Sequence, residues 1–409
     1  MREHNTQPVL FRKVWRGWVR SAASIVALLI ALQENAAAFV TFSPSLVLSE
    51  RYSDNFFFTE IESFRESEFT TMVGPQLTLA AEGRNWNLST RYQGTVELNR
   101  RHPEENQYGQ TLAMDLHLPF ISEQLRGLDL RITESIAYVP ELPAFSFRQS
   151  GDPLPPEANQ GIQVGRTNTF RNHAGVTLGY GWTTRFSTAL SYSYLSNWYR
   201  GGTLEDFVVH DGGLSGIYQA SRRMQWSVSY ATTLTNYKRA NSVVTHQVNI
   251  GEIYQVSPTF TINVGTGVAI VPSDSTQWTV SAGIRKTGRD GNASLQYGRG
   301  IGTGGGVTTT ATLSQSLTAQ AERTLGRSVS ASFRLGYGIN EPLSGPPLRI
   351  STQEIGTGIQ MNLLSWLNGG VNYSYTNQRT DGGPVDRDSR RNVVMVTLTA
   401  ASLPLRIMQ

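Results

Sequence analysis

The chain has 409 residues, no cysteine, 39% hydrophobic residues and only 16% charged residues. The missing cysteine excludes a disulfide framework and any thiolate metal site. Low charge with many aromatic residues separates the chain from disordered proteins, which carry high charge and few aromatics. The net charge of +4 is no nucleic-acid signal, because residues 1–38 hold five bases against two acids and the remainder is close to neutral.

The first segment reads as a secretory leader. Arg12, Lys13, Arg16 and Arg20 form a basic region, Ala22 to Leu32 an apolar run, and Ala36-Ala37-Ala38 a small-x-small cleavage site. The apolar run is short of the roughly twenty residues that a spanning helix needs. The reading is therefore residues 1–38 as signal peptide and 39–409 as one further domain. No later stretch is apolar enough for a membrane helix. An integral membrane chain of this kind must be a closed barrel, because only helices and barrels satisfy the backbone in lipid.

From residue 42 onward the dominant signal has a period of two. In 85–99, Trp86, Leu88, Tyr92, Val96 and Leu98 share one face, while Asn87, Ser89, Arg91, Gln93, Glu97 and Asn99 share the other. The pattern recurs in 224–235 and in 329–340, where Val329, Ala331, Phe333, Leu335, Tyr337 and Ile339 alternate with Ser330, Ser332, Arg334, Gly336, Gly338 and Asn340. Strands are expected near 42–58, 68–82, 85–99, 107–119, 127–140, 167–182, 184–199, 205–219, 222–237, 241–256, 258–271, 275–286, 289–300, 307–321, 327–340, 347–362, 365–378 and 389–403. That makes about eighteen, with sixteen as the alternative. The strands are longer than the usual five or six residues. One face is apolar with aromatic ends and the other is small and polar. An all-β, single transmembrane antiparallel up-and-down barrel with a polar lumen fits all three features. Connections alternate between tight turns, such as 183–184, 221–222 and 257–258, and longer polar loops. With the N-terminus periplasmic, the long loops fall outside. The longest, 141–166, carries Pro143, Gly151, Pro153, Pro155, Pro156 and Gly161, and either caps the mouth or folds into the lumen.

Arg91, Arg131, Arg285 and Arg334 fall on the polar face of their strands. As lumen residues they are candidate binding positions, because lumen charge sets pore selectivity and arginine matches carboxylates. Asp115, Asp129 and Glu97 share that face, so structural pairing is the competing reading. Glu134 falls on the apolar side with Leu130, Ile132 and Ile136; a β-bulge or an interfacial position would remove that conflict. Gly300-Ile301-Gly302-Thr303-Gly304-Gly305 matches a dinucleotide fingerprint in form only, since a Thr-rich strand at Val307 to Ala311 follows where a helix is required. Glu60, Glu62, Glu66 and Glu68, and Asp381, Asp386 and Asp388, cluster in outer loops, but their spacing fits no calcium loop. No nucleophile elbow or metal-spaced histidine cluster occurs, so no cofactor, metal or enzymatic activity is expected.

The first strand reads Pro44-Ser45-Leu46-Val47-Leu48-Ser49-Glu50-Arg51-Tyr52-Ser53-Asp54-Asn55-Phe56-Phe57. This pattern resembles the opening of the outer-membrane β-barrel family associated with exosortase/PEP-CTERM systems and exopolysaccharide gene clusters. The resemblance implies an outer-membrane pore or component for exopolysaccharide export or surface assembly. A general diffusion porin for small solutes is the alternative, and an outer-membrane hydrolase a third reading. The expected partners are outer-membrane lipid, lipopolysaccharide, the barrel-insertion machinery, polysaccharide and export partners, with no nucleic acid.

Overall fold

The computed structural model describes residues 39–408 apart from 84–85, 120–126, 142–144, 146–161, 164–165, 201–203, 273, 304–305 and 383–386. The leader, the prolines and glycines named above in the long loop, Asp386, Gly304 and Gly305 lie outside the described residues.

In chain order the strands are β1 Phe39–Ser53, β2 Glu68–Gly83, β3 Trp86–Asn99, β4 Gln107–Leu118, β5 Leu128–Val139 and β6 Asn168–Gly181. They continue with β7 Phe186–Arg200, β8 Phe207–Ser221, β9 Met224–Tyr237, β10 Val243–Ser257, β11 Phe260–Ile270 and β12 Thr276–Gly288. The last are β13 Gly291–Gly302, β14 Thr312–Thr324, β15 Val329–Pro342, β16 Arg349–Leu364, β17 Leu367–Asp381, β18 Arg387–Ala401 and the short β19 Leu405–Met408. From β1 to β18 each strand pairs antiparallel with its chain neighbours, and β1 also pairs with β18 and β19, so the sheet closes. β19 continues β18 after a break of three residues, shifted by one position against β1. The architecture is therefore an eighteen-strand barrel whose final strand is interrupted once. Closure leaves no sheet edge and pairs the backbone within the wall, as hydrocarbon demands.

The period-two pattern decides which face meets lipid. Leu46, Leu48, Val96, Leu98, Leu190, Val228, Ile250, Val264, Ile359 and Val396 are all exposed on the outer face. Each such side chain left in water would forgo about 1.5–3 kcal/mol, so this belt belongs in a bilayer. Aromatic pairs stand at both rims: Tyr52–Phe69, Tyr108–Tyr138 and Phe170–Trp198 toward the outer loops, and Tyr180–Trp182 and Tyr218–Trp226 toward the turns. Such amphipathic rings mark the two interfaces of an outer-membrane barrel. The protein is a multi-pass barrel of the cell outer membrane. No described helix is long and apolar enough to cross a membrane; the strands cross it.

Three local expectations are corrected. The first strand ends at Ser53, not residue 58, because the chain turns sharply after it and Phe58 adopts a left-handed backbone with φ 55°. Val307 to Ala311 is loop, not strand: Gly306 at φ 82° turns the chain inward, and β14 begins only at Thr312. Glu134 is not removed from the lipid-facing side by a bulge. Its ladders to Met114 and Ala174 are regular, and its carboxyl is bonded to Asn172 on β6, which supplies the polar partner that lipid cannot.

Candidate functional site

The lumen face of β6 to β14 is built mainly of small polar residues. Ser191, Gly213, Ser227, Thr233, Asn249, Asn263, Gly265, Ser281 and Gln296 surround a cavity of about 1120 Å³. Alternation placed them there: each is the inward neighbour of an outward Leu, Val, Ile or aromatic residue. Charge in this lobe is sparse. Asp211 accepts hydrogen bonds from the Thr233 hydroxyl and from the Ser193 hydroxyl, the latter at 3.4 Å. Arg171, Glu252, Arg285 and Arg299 also line it, so five of its lining residues are charged.

The opposite part of the lumen is occupied. The described residues of the loop between β5 and β6, among them Glu141, Phe145, Gln163 and Arg166, lie against the lumen side of the wall and are bonded or packed there. The Gln163 backbone N–H donates to Gln378 Oε1 at 2.7 Å, and Gln378 Nε2 returns a bond to the Gln163 carbonyl at 2.9 Å. Gln163 Nε2 donates to Glu141 Oε1 at 2.8 Å, and the same oxygen takes Arg391 Nη1 at 2.5 Å. From the loop's end, Arg166 Nη2 reaches Glu97 Oε2 on β3 at 2.9 Å, and Arg51 on β1 approaches that oxygen at 3.4 Å. Phe145 from the same loop is only 2% exposed. Its ring lies where a side chain on Gly336 of β15 would stand, with ring atoms 2.7–3.0 Å from the position of a Cβ there. Gly336 is thus the seat of Phe145. Between this loop and the wall remains a pocket of about 440 Å³, lined by Arg51, Glu97, Glu141, Arg166, Glu354 and Arg391 among others. Acids and bases there are balanced and interlocked, so the charges latch the loop and do not present an open charged track.

A second loop crosses inward on the other side. The carbonyl of Gly306 accepts the Glu205 N–H at 3.0 Å, and Thr303 accepts the Tyr237 hydroxyl at 2.9 Å. A side chain at Gly306 would strike the Tyr199 ring at 2.8 Å, so glycine is needed for this approach as well as for its φ. Leu195, Phe207, Val209 and Tyr237 form a buried cluster beside it. The glycine-rich run that imitates a nucleotide fingerprint therefore leads into an inward strap over the outer mouth.

The first outer loop is sewn to the last strand. Asp54 accepts from the Asn392 backbone N–H at 2.7 Å and from Asn392 Nδ2 at 2.6 Å. Asn55, 1% exposed, donates to the carbonyls of Arg390 and Thr59 at 2.9 and 2.8 Å. Phe56 and Phe58 then lie under the guanidinium groups of Arg166 and Arg391, at 4.4 and 5.0 Å from the ring centres. Asp54 and Asn55 of the first-strand stretch thus close the barrel, and Phe56 and Phe58 beside them support the inward loop. Buried Glu68, 0% exposed, accepts the backbone N–H groups of Phe69, Arg100, Arg101 and His102 at 2.8–3.1 Å and anchors the next loop. Burial opposes charge on His102, but its bonds to Glu68 and Glu66 outweigh this and hold its pKa above the ordinary histidine value.

Strand parity places Arg91, Arg131, Arg285 and Arg334 on the lumen side, each in the periplasmic half of its strand, on β3, β5, β12 and β15. They stand in separate sectors. Arg131 donates through Nε to both Asp115 oxygens at 3.1 Å and belongs to a patch with the His117–Asp129 pair. Arg334 lies beside Glu354, and Arg285 lines the larger lobe. The residues that do converge are Arg51, Glu97, Glu141, Gln163, Arg166, Gln378 and Arg391. Glu97 alternates with outward Val96 and Leu98, and Arg51 and Arg391 share the lumen parity of their strands; their meeting point, set by a loop without periodicity, carried no such signal.

No family model and no curated protein matches the chain. Among solved structures it is similar to Pseudomonas aeruginosa OccK2 (OpdF) in complex with glucuronate, with TM-score 0.49 and 11% identity over 89% of this chain and 98% of that one. It is also similar to Pseudomonas aeruginosa OpdK with vanillate, with TM-score 0.47 and 11% identity over 89% and 99%. For Acinetobacter baumannii OccAB3 the TM-score is 0.47 and the identity 9%, over 89% and 99%. At such identities the solutes named for those proteins remain properties of those proteins.

Proposed function

We propose that this barrel is a porin-type diffusion channel for small hydrophilic solutes. The observation that carries the reading is the hydroxyl- and amide-lined lobe of about 1120 Å³ among the described residues, beside Gln163, which is bonded to the opposite wall. Ser, Thr, Asn and Gln side chains replace part of a solute's hydration without binding it tightly, which a conducting path requires. The sparse charge of the lobe favours weakly charged or neutral solutes of sugar size over strongly charged ones.

Exopolysaccharide export is the second reading, and it rests on the first-strand resemblance. In this chain the Asp54-Asn55-Phe56 part of that pattern serves barrel closure and loop support, a role that needs no polysaccharide. Planar-bilayer recording and liposome swelling test the two together. A diffusion channel gives a stable conductance on its own and admits sugars up to a size limit. Replacing Gln378 by Leu, which removes both bonds to Gln163, then raises the conductance and the size limit. An export component stays closed alone, and mutating Arg91, Arg131, Arg285 and Arg334 together lowers surface polysaccharide at unchanged barrel abundance. A purified, folded barrel without conductance above that of bare lipid would refute the channel reading.

A further inference from the structure

Both ring nitrogens of His102, in the outer loop between β3 and β4, face carboxylates. Nδ1 lies 2.7 Å from Glu68 Oε2 and Nε2 lies 2.5 Å from Glu66 Oε2. A neutral imidazole has one N–H and can satisfy one of them; only the imidazolium donates to both. The His102 ring stacks on Phe56 at 5.5 Å and an interplanar angle of 11°, and meets Phe57 edge-on at 5.1 Å. The Phe56 ring in turn carries the guanidinium of Arg166. Arg166, with a side chain 4% exposed, is the residue that ties the inward loop to Glu97. A continuous run of contacts therefore joins an outer-loop histidine to Glu97 on the lumen wall.

We propose that His102 is a positioning residue for the channel: through Phe56 it holds Arg166 on Glu97, so this contact between loop and wall follows the pH outside the cell. The inference rests on the channel reading. The groups that face His102 are Glu66 from the first outer loop, Glu68 from β2, and the Phe56 and Phe57 rings; Arg166 lies across Phe56. When the imidazolium loses its proton, one carboxylate loses its donor. Glu68 keeps its four backbone N–H partners, so Glu66 is the one released. The first outer loop then parts from the second, Phe56 withdraws, and Arg166 loses the ring that backs it. The sign follows from linkage. A histidine whose folded pKa is raised contributes fully below its unfolded value, about 6.5, and that contribution fades as pH rises through the raised value.

The test uses the full barrel, by bilayer recording with pH varied on the outer-loop side and by hydrogen exchange of residues 163 and 166–168 corrected for intrinsic rates. From about pH 6 to about pH 9, the wild type is expected to show several-fold more frequent transitions between conductance levels and an about tenfold loss of backbone protection, the effect of one charge-assisted hydrogen bond. His102→Gln is expected to show the high-pH behaviour at both pH values. Phe56→Leu keeps the His102 bonds to Glu66 and Glu68 but loses the relay, so its residues 163 and 166–168 should be poorly protected at both. Wild-type protection that does not change with pH overturns the proposal, as does a His102→Gln barrel that keeps the wild-type profile. A barrel without conductance refutes the channel reading, while the exchange data still decide the relay.

Discussion

Gly336→Ala perturbs the seat of Phe145 with one methyl group. The new Cβ would stand 2.7–3.0 Å from Cδ2, Cγ and Cε2 of the ring. Carbon contacts need about 3.5–4.0 Å, so the ring must retreat by roughly 1 Å. Overpacking of this kind costs about 1–3 kcal/mol, comparable with the roughly 1.5–3 kcal/mol gained by burying a phenylalanine. The unseated state should therefore gain about five- to hundredfold in population. The Gln163–Gln378 pair and the Arg391–Glu141 contact still hold the loop, so a modest rise in single-channel conductance with new short-lived sublevels is expected, not a fully open pore. Gly300→Ala is the control, because a Cβ there meets nothing within 4 Å. Identical traces for Gly336→Ala and wild type would refute the assignment of Phe145 to this seat, and so would an equal change from Gly300→Ala.

Two further predictions concern the wall. Asn55→Ala removes donors to Arg390 and Thr59 and the acceptor of the Thr59 N–H, and should lower barrel stability by about 2–3 kcal/mol, read as an earlier midpoint in urea unfolding from lipid vesicles. Val264→Lys on the lipid side of β11 should cost about 2–4 kcal/mol in the same assay, while Asn263→Lys, one residue away on the lumen side, should leave stability nearly unchanged and shift ion selectivity toward anions.

The barrel was legible because its wall is periodic. Leu46 and Leu48 against Ser49 and Arg51, or Val96 and Leu98 against Glu97 and Asn99, announce both the strand and its orientation, and the ladder then fixes the neighbours. The limits of legibility follow the same logic. At Asp54-Asn55 the alternation continues on paper while the side chains leave the ladder to bond across to β18. At Val307 to Ala311 a β-rich composition met the Gly306 turn and the Tyr199 ring, and the packing won. The four lumen arginines were found by parity, which says which side a residue faces but not its height or sector. The latch around Glu97 and Glu141 joins residues far apart in the chain through a loop of irregular sequence, and no local pattern encodes that.

The closure of β1 on β18 has a kinetic side. Every other junction in the wall is a hairpin or a loop-joined neighbour, whereas Asp54 and Asn392 are 338 residues apart. Bringing such ends together costs about 5 kcal/mol of chain entropy if the intervening chain is free, and far less once the hairpins between them have zipped. The seam should accordingly form last during insertion. It is also the shorter of the two ladders that β1 makes, running over Ser45–Ser53 with β18 against Phe39–Ser53 with β2, and the one-position slip before β19 weakens it at the periplasmic rim. The side-chain stitches from Asp54 and Asn55 sit at its other end, where they act as a clasp on the junction that is slowest to make and easiest to unzip.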